Sequence, residues 1–380
     1  MSEYQHYEFQ AIDRPLTPEE QEAVAALSSR VDPHPRRAIF TYSFGGGLYR
    51  SSKELIADYF DAMFYIANWG SVQLAFRFPK ALVDLERMAA YRVPTLEYPS
   101  DAVSIETKGE YAILNLSLEE EDGFGWIEGE GLLDSVIGLR DDILRGDYRA
   151  LYLAWLSGVT SEYNVDEDAL EPPVPPGLDK LTPALLNFCE LFEMDDLLVE
   201  AAAEASEAVG AESDRWLRDG LAQLSREECE SFLLRLAQGE LHLGLALRQR
   251  LRELAGMGER FVATEFRRTV AQILARWEER EEEERLRRAE EAERRRIERL
   301  EALAQRVEET WAEIDALIQR KQAQPYDEAT ELLCQLKELA AYQGREAEFE
   351  ARIAELAGAY SRRTALMRRF RHKGLIPLTG

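Results

Sequence analysis

The chain has 380 residues, of which 46% are hydrophobic and 31% are charged, and its formal net charge is −26 at pH 7. This length exceeds that of an ordinary domain, which has about 100 to 200 residues, so we expect two or three folded units. The negative net charge argues against general nucleic-acid affinity, which depends on neutralising phosphates with Lys and Arg.

Further features predict a cytoplasmic protein that is neither secreted nor inserted in a membrane. Runs of about eighteen or more uncharged apolar residues are missing, and residues 1–5 lack the basic start of a signal peptide. The cysteines Cys189, Cys229 and Cys334 are far apart and form no C-x-x-C spacing. This usage suits a reducing compartment and argues against a zinc site.

Residues 1–161 mix strand and helix patterns and are predicted to form an α+β domain, with helices covering one face of a small sheet. Thr17, Pro18 and Glu20 have the N-cap, N1 and capping-box pattern of a helix start. Strands are expected at Tyr7–Ala11, Ala38–Phe44, Val72–Phe78 and Val103–Leu118, the last folded as a hairpin at Lys108-Gly109.

The clearest helical periodicity in this domain follows a cap at Ser51 or Ser52. Apolar residues then recur at three- and four-residue steps, which is typical of a wide buried helical face: Leu55, Ile56, Tyr59, Phe60, Met63, Phe64 and Ala67. One long helix with a buried side from Leu132 to Trp155 is predicted to close the domain.

The main domain boundary is predicted at residues 162–181, an acidic, Pro-rich linker. It contains Pro172, Pro173, Pro175 and Pro176, which cannot continue a helix or a central strand. Residues 182–258 are predicted to form a helical domain that begins at the Thr182-Pro183 cap.

Residues 259–322 are predicted to form one long charged helix, with helical pattern from Phe261 to about Lys321. Between Glu278 and Arg299, 18 of 22 residues are Glu or Arg. Glu precedes Arg by four residues at several positions, and each such pair stabilises an exposed helix by about 0.2 to 0.5 kcal/mol. We therefore expect a rigid helix that needs no core.

The end of this helix carries an apolar seam, which steps by three and four residues from Ile297 to Ile318. Residues 323–380 are predicted to form a C-terminal helical hairpin or bundle that shares apolar faces with the seam. Within the seam, Trp311, Ile314 and Ile318 are the candidate surface for a protein partner.

A basic cluster at the C-terminus is the candidate site for an anion or a nucleic acid. Residues 351–380 contain 7 basic and 1 acidic residue, whereas residues 101–200 contain 5 basic and 24 acidic residues. The cluster consists of Arg362, Arg363, Arg368, Arg369, Arg371 and Lys373. Cations near the end of a helix also compensate the helix dipole, and this structural role is the simpler interpretation.

A third candidate lies in the N-terminal domain, where residues 44–47 precede the cap at Ser51 and Lys53 follows it. Backbone amides there could hold a phosphate. The spacing matches neither a P-loop nor a dinucleotide fingerprint, so a flexible turn is the simpler interpretation. No catalytic residue, metal ligand or cofactor is predicted.

The C-terminal residues resemble the helical tail of bacterial SWIM zinc-finger proteins. The similarity covers about 65 residues from Thr310 and includes Tyr326-Asp327-Glu328-Ala329, Leu332-Leu333, Gly344-Arg345 and Gly374-Leu375. The Cys and His spacing of a SWIM zinc site is missing, so the resemblance implies a helical tail without zinc. Residues 7–17 also resemble the opening of an uncharacterised bacterial family, which implies no activity.

These observations favour a non-catalytic protein-interaction adaptor or scaffold that uses the charged helix and the C-terminal helical module. Two alternatives remain open: a nucleic-acid-associated protein that uses the basic C-terminal helix, and an enzyme whose site lies in the N-terminal domain.

Overall fold

The computed structural model describes residues 3–43, 47–48, 50–120, 123, 129–209, 215–257 and 267–377. The chain divides into two compact units, Met1–Arg280 and Glu281–Gly380. The first unit contains a β-sheet and helices, and the described part of the second unit is helical. The predicted fold class, an α+β domain followed by an all-α region, is confirmed.

The first unit is built on a seven-stranded sheet in which every pairing is antiparallel. The strand order is β2-β3-β1-β4-β5-β7-β6. All the predicted strands are present, and Gly109 takes a φ of +58° at the predicted hairpin. The strands are β1 Tyr4–Gln10, β2 Val31–His34, β3 Arg37–Ser43, β4 Ala62–Ala67, β5 Ser71–Pro79, β6 Val103–Lys108 and β7 Tyr111–Glu119.

Strand β4 corrects the helix that was predicted to run from Ser52 through Ala67. The capping box at Ser51 is present, but the helix covers only Ser52–Asp58. All six residues of β4 are buried, because the strand lies inside the sheet and both of its faces are covered. A strand buried on both faces is continuously apolar, and over so few residues it imitates a helical period.

Eleven helices with described bounds belong entirely to the first unit. They are α1 Pro18–Ala25, α2 Ser52–Asp58, α3 Leu85–Ala89, α4 Leu132–Val136, α5 Gly138–Leu144, α6 Arg149–Ser161, α7 Pro183–Leu191, α8 Asp196–Ala203, α9 Arg215–Gln223, α10 Arg226–Ala237 and α11 Leu243–Leu254. The long helix predicted for Leu132–Trp155 is therefore wrong. It is three helices, and Gly146 has a φ of +84° between the last two.

Helices cover both faces of the sheet, whereas the sequence predicted only one covered face. Phe64 and Leu74 lie in a core on one face, together with Leu151 of α6. On the other face, Phe9 and Phe40 pack with Leu55 of α2. Side chains that alternate between the two faces of the sheet thus contribute to two hydrophobic cores.

The Pro-rich segment 162–181 packs onto the first unit. Val174 and Leu178 are buried in the core that contains β4 and α6, and Glu171 is fully buried. The division of the chain lies instead after Arg280. Prolines exclude regular helix and central strand, but they do not exclude burial of a segment whose polar groups are paired.

Helix α12, Val270–Ala304, is followed by the four remaining helices of the second unit. They are α13 Val307–Gln319, α14 Ala323–Gln343, α15 Glu346–Ala359 and α16 Thr364–His372. The helix predicted for 259–322 is thus interrupted before Val307, and residues 258–266 lie outside the described part. The core shared by helices α12 to α16 includes Leu300, Ile314, Leu333 and Phe370.

Candidate functional site

The predicted anion-binding cluster lies on and around α16, where two of its residues are paired within the second unit. Arg369 Nε is 2.5 Å from Asp327 Oδ1, and a second guanidinium nitrogen is 3.2 Å from Asp327 Oδ2. Lys373 Nζ is 3.8 Å from Glu331 on the same neighbouring helix, α14. The ion pairs of these two cations therefore join the C-terminal basic cluster to α14.

The other members of the basic cluster differ in exposure. Arg363 donates to the main-chain oxygen of Ile318 and is half-buried. Arg371 is also half-buried, and its Nε has no hydrogen-bond partner in the described part of the chain. Arg362 and Arg368 are exposed and form no ion pair with any described residue. Only the last two are fully available to an external anion.

The predicted partner surface is not a surface. Trp311, Ile314 and Ile318 are buried in the core of the second unit. The Trp311 ring lies 6.0 Å from the Phe349 ring, and the Arg352 guanidinium lies 4.5 Å above the indole. The seam is apolar, as predicted, but helices of the same chain cover it, so these three residues are corrected to core positions.

A different apolar surface is exposed on α10. Leu233, Leu234 and Leu236 have exposed fractions of 65%, 60% and 63%. No residue of α10 is buried. We call these three side chains the leucine surface; Leu221 and Leu241 are also more than half exposed. A helix was expected here but not its exposure, because a run of leucines is ordinarily a sign of burial.

Local interactions explain why α10 is a stable helix despite its exposure. Ser225 and Glu228 form a reciprocal capping box at its start. The same Glu228 accepts a 2.9 Å hydrogen bond from Arg250 Nε of α11. Helices α9 and α11 pack closely, because Gly220 has no Cβ to collide with the main chain of Leu251. Helix α10 is thus held at its polar side.

Buried charged groups in the first unit form structural networks that the sequence did not reveal. His6 Nδ1 is 2.9 Å from Thr41 Oγ1, and Nε2 is 3.3 Å from Glu8. This resembles a hydroxyl, imidazole and carboxylate relay. However, Glu8 also accepts the amide hydrogens of Gly131 and Leu133, at the start of α4. Burial alone would raise the pKa of Glu8, but the hydrogen bond with His6 and then those from the amides of Gly131 and Leu133 lower it. Because two of these donors are amides at the start of α4, we interpret the carboxylate as a helix cap.

A second buried network ties the Pro-rich segment to the chain before α12. Glu171 forms an ion pair with Arg268, at 2.8 Å, and accepts a hydrogen bond from the Tyr152 hydroxyl. Arg268 also donates to the main-chain oxygen of Ala201 at 2.8 Å. Since each charge has several partners, the network is suited to holding structure rather than to reacting.

The candidate phosphate loop lies only partly within the described residues. Residues 44–46 lie outside the described residues. Ser51 caps α2, so its hydroxyl is already used by the amide of Glu54. Lys53 Nζ is 2.6 Å from Glu106. The described part of this region does not bring a free cation to the loop.

Cysteine and metal chemistry receives little support from the described residues. Burial raises the pKa of the Cys189 thiol to about 12, and it also raises the pKa of Cys334. A thiolate nucleophile needs a lowered pKa instead. Within the described ranges, no group of three His, Cys, Asp or Glu side chains could hold a metal ion.

Comparison with protein-family models, curated proteins and solved structures gives no match to the chain. Among the described residues, no helix combines the length and apolar character needed to cross a membrane.

Proposed function

We propose that the protein is a non-catalytic interaction adaptor of the cytoplasm, and that its partner is another protein. The observation that carries this proposal is the leucine surface on α10. It takes the role that the sequence had assigned to Trp311, Ile314 and Ile318, because those residues form a core of their own.

The energetics of leucine exposure support a partner. Complete burial of a leucine side chain stabilises a protein by about 1.5 to 3 kcal/mol relative to exposure. Leu233, Leu234 and Leu236 remain more than half exposed on one short helix, and Leu233 and Leu236, three residues apart, share a face of it. Scattered exposed leucines are ordinary, but a contiguous group is typical of protein interaction sites. The leucine surface would therefore form the apolar centre of an interface.

The alternatives have weaker support. Nucleic-acid contact through the basic cluster on and around α16 would rely on Arg362 and Arg368, since Arg369 and Lys373 pair with acidic residues of α14. An enzyme site in the N-terminal domain would need groups beyond the capped Ser51. The resemblance of the tail to SWIM zinc-finger proteins remains a prediction, and it is compatible with an adaptor.

A double substitution tests the proposal. Leu233→Asp with Leu236→Asp should abolish co-purification of the partner from native cells, because two charges would be buried in an apolar interface. The matched control is Gln223→Asp with Gln249→Asp, which adds the same charges at exposed positions of α9 and α11. Circular dichroism should show both variants folded. Equal partner recovery from both variants would count against the leucine surface.

A further inference from the structure

A cavity in the first unit has the chemistry of a cation site. It has a volume of about 210 Å³ and lies among the end of β7, helix α6, the turn between α7 and α8, and the early part of α12. Buried Leu118, Phe192 and Leu198 contribute apolar walls, and the half-buried Trp277 contributes an indole.

The charged groups that line the cavity all have one sign. Glu120, Glu193 and Asp195 are lining residues, and no Lys, Arg or His is among the described residues that line it. The carboxylate of Glu193 has no ion pair or hydrogen bond with another described residue. Glu193 and Asp195 form no ion pair with a described residue, and two such carboxylates at one cavity attract a positive ligand.

Asp195 is held in place while one of its oxygens stays available. Its Oδ1 accepts hydrogen bonds from the amides of Leu197 and Leu198, at 2.8 and 3.1 Å, at the start of α8. The same oxygen accepts the indole N–H of Trp277 at 3.1 Å. Oδ2 receives no hydrogen bond from the described residues, so a fixed carboxylate presents a vacant acceptor.

Hydroxyl groups add an independent indication of a ligand. Ser157 lines the cavity and is only 5% exposed, yet its hydroxyl has no hydrogen-bond partner among the described residues. Buried polar groups normally have partners. The hydroxyls of Thr160 and Ser161 both donate to the main-chain oxygen of Ser157, which leaves their oxygens as acceptors. The cavity is therefore rich in acceptors and suits a ligand that only donates.

We propose that this cavity binds a protonated aliphatic amine. An ammonium group carries three donors and no acceptor, which matches the carboxylates and hydroxyls. Its methylene chain would lie against the apolar walls, and an indole favours a neighbouring cation. A metal ion fits less well, since the described residues include no group able to hold one. None of the residues that line the cavity belongs to the leucine surface on α10. The amine could be a free diamine or a lysine side chain.

Calorimetric titration of the full chain with 1,5-diaminopentane tests the proposal, with 1,5-pentanediol as an uncharged match of the same length. We expect binding of the diamine only. Glu193→Gln should weaken it about tenfold, the size of one hydrogen bond to a charged group. Glu190→Gln is the matched control, because Glu190 is exposed, three residues away and outside the lining; it should leave affinity unchanged.

Ser157→Ala supplies a second test and should weaken diamine binding by about threefold, as expected for one neutral hydrogen bond. A short peptide with one lysine identifies the source: tighter binding of the peptide than of the diamine indicates a partner's lysine, and the reverse indicates a free amine. Equal binding of diol and diamine would overturn the proposal. So would equal losses in Glu193→Gln and Glu190→Gln, or no diamine binding up to about 10 mM.

Discussion

Replacing Trp311 with alanine tests whether the apolar seam belongs to the core of the second unit. The ring is 7% exposed and packs beside Phe349, and the Arg352 guanidinium lies 4.5 Å from its centre. Truncating a buried Trp costs about 3 to 5 kcal/mol, because the surroundings only partly fill the cavity. Loss of the cation–π contact accounts for about 0.5 to 1 kcal/mol of this at a partly exposed site.

Hydrogen exchange of the full chain is the suitable assay, since the two units can open separately and a single melting temperature would mix them. A loss of 3 to 5 kcal/mol should speed exchange of the most protected amides of α13 and α14 by about two to three and a half orders of magnitude. Tyr342→Ala is the control, because Tyr342 of α14 is 45% exposed and should change stability by about 0.5 kcal/mol or less. Unchanged exchange in Trp311→Ala would refute the core assignment and restore Trp311 as a partner surface.

Three further predictions concern charge and backbone geometry. The hydrogen bonds of Arg276 and then Arg280 lower the pKa of Glu204 to about 2. The ionised Glu204 side chain should therefore stabilise the first unit fully above the pKa of the unfolded chain, and this stabilisation should disappear as the pH falls toward 2. The free energies of unfolding of wild type and Glu204→Gln, measured by urea titration, should thus converge in acid. An isolated peptide of residues 278–299 should be helical by circular dichroism at neutral pH and low salt, and salt or acid should reduce its ellipticity, because ion pairs support it; a random coil under the first condition would contradict this. In chemical unfolding, Gly70→Ala should destabilise the first unit by more than Gly109→Ala does. Both glycines have a positive φ, but a Cβ at Gly70 would lie 1.9 Å from a main-chain oxygen, whereas a Cβ at Gly109 would meet no atom within 4 Å. Equal losses of stability would contradict this steric argument.

Local signals in the sequence predicted many elements correctly. The capping box at Thr17 is formed as predicted, and of the two caps considered for the next helix, Ser51 is the one that is used. Of the predicted Glu–Arg pairs spaced by four residues, Glu284–Arg288 and Glu291–Arg295 are present at 2.7 and 3.6 Å. Such features depend only on neighbours within one turn, so they can be read without knowledge of the tertiary structure.

The errors arise where burial, rather than local pattern, decides the structure. Residues 62–67 form a strand because β1 and β5 pair with both of its edges, and these partners are distant in sequence. The Pro-rich segment was predicted as a linker, yet Arg268 pairs with its Glu171. Long-range contacts of this kind leave no period in the sequence.

The same distinction separates the predicted sites from the observed surfaces. The apolar seam predicts that some helix covers it, but not whether that helix comes from the same chain. Positive charge on α16 predicts an anion, but Asp327 of α14 already supplies one for Arg369. The leucine surface can be recognised only from the exposure of its side chains. The cavity beside Glu193 and Asp195 is formed by elements that are distant in sequence, so it too requires the tertiary structure.

Site-specific photo-crosslinking in native cells tests the adaptor proposal most directly. A photoreactive amino acid at position 236 should give a discrete adduct with a partner protein, and Leu233→Asp in the same chain should remove the adduct. The same probe at position 249, which is exposed on α11, should give none. No discrete adduct at position 236, or the same adducts at both positions, would contradict the assignment of the leucine surface as the binding site.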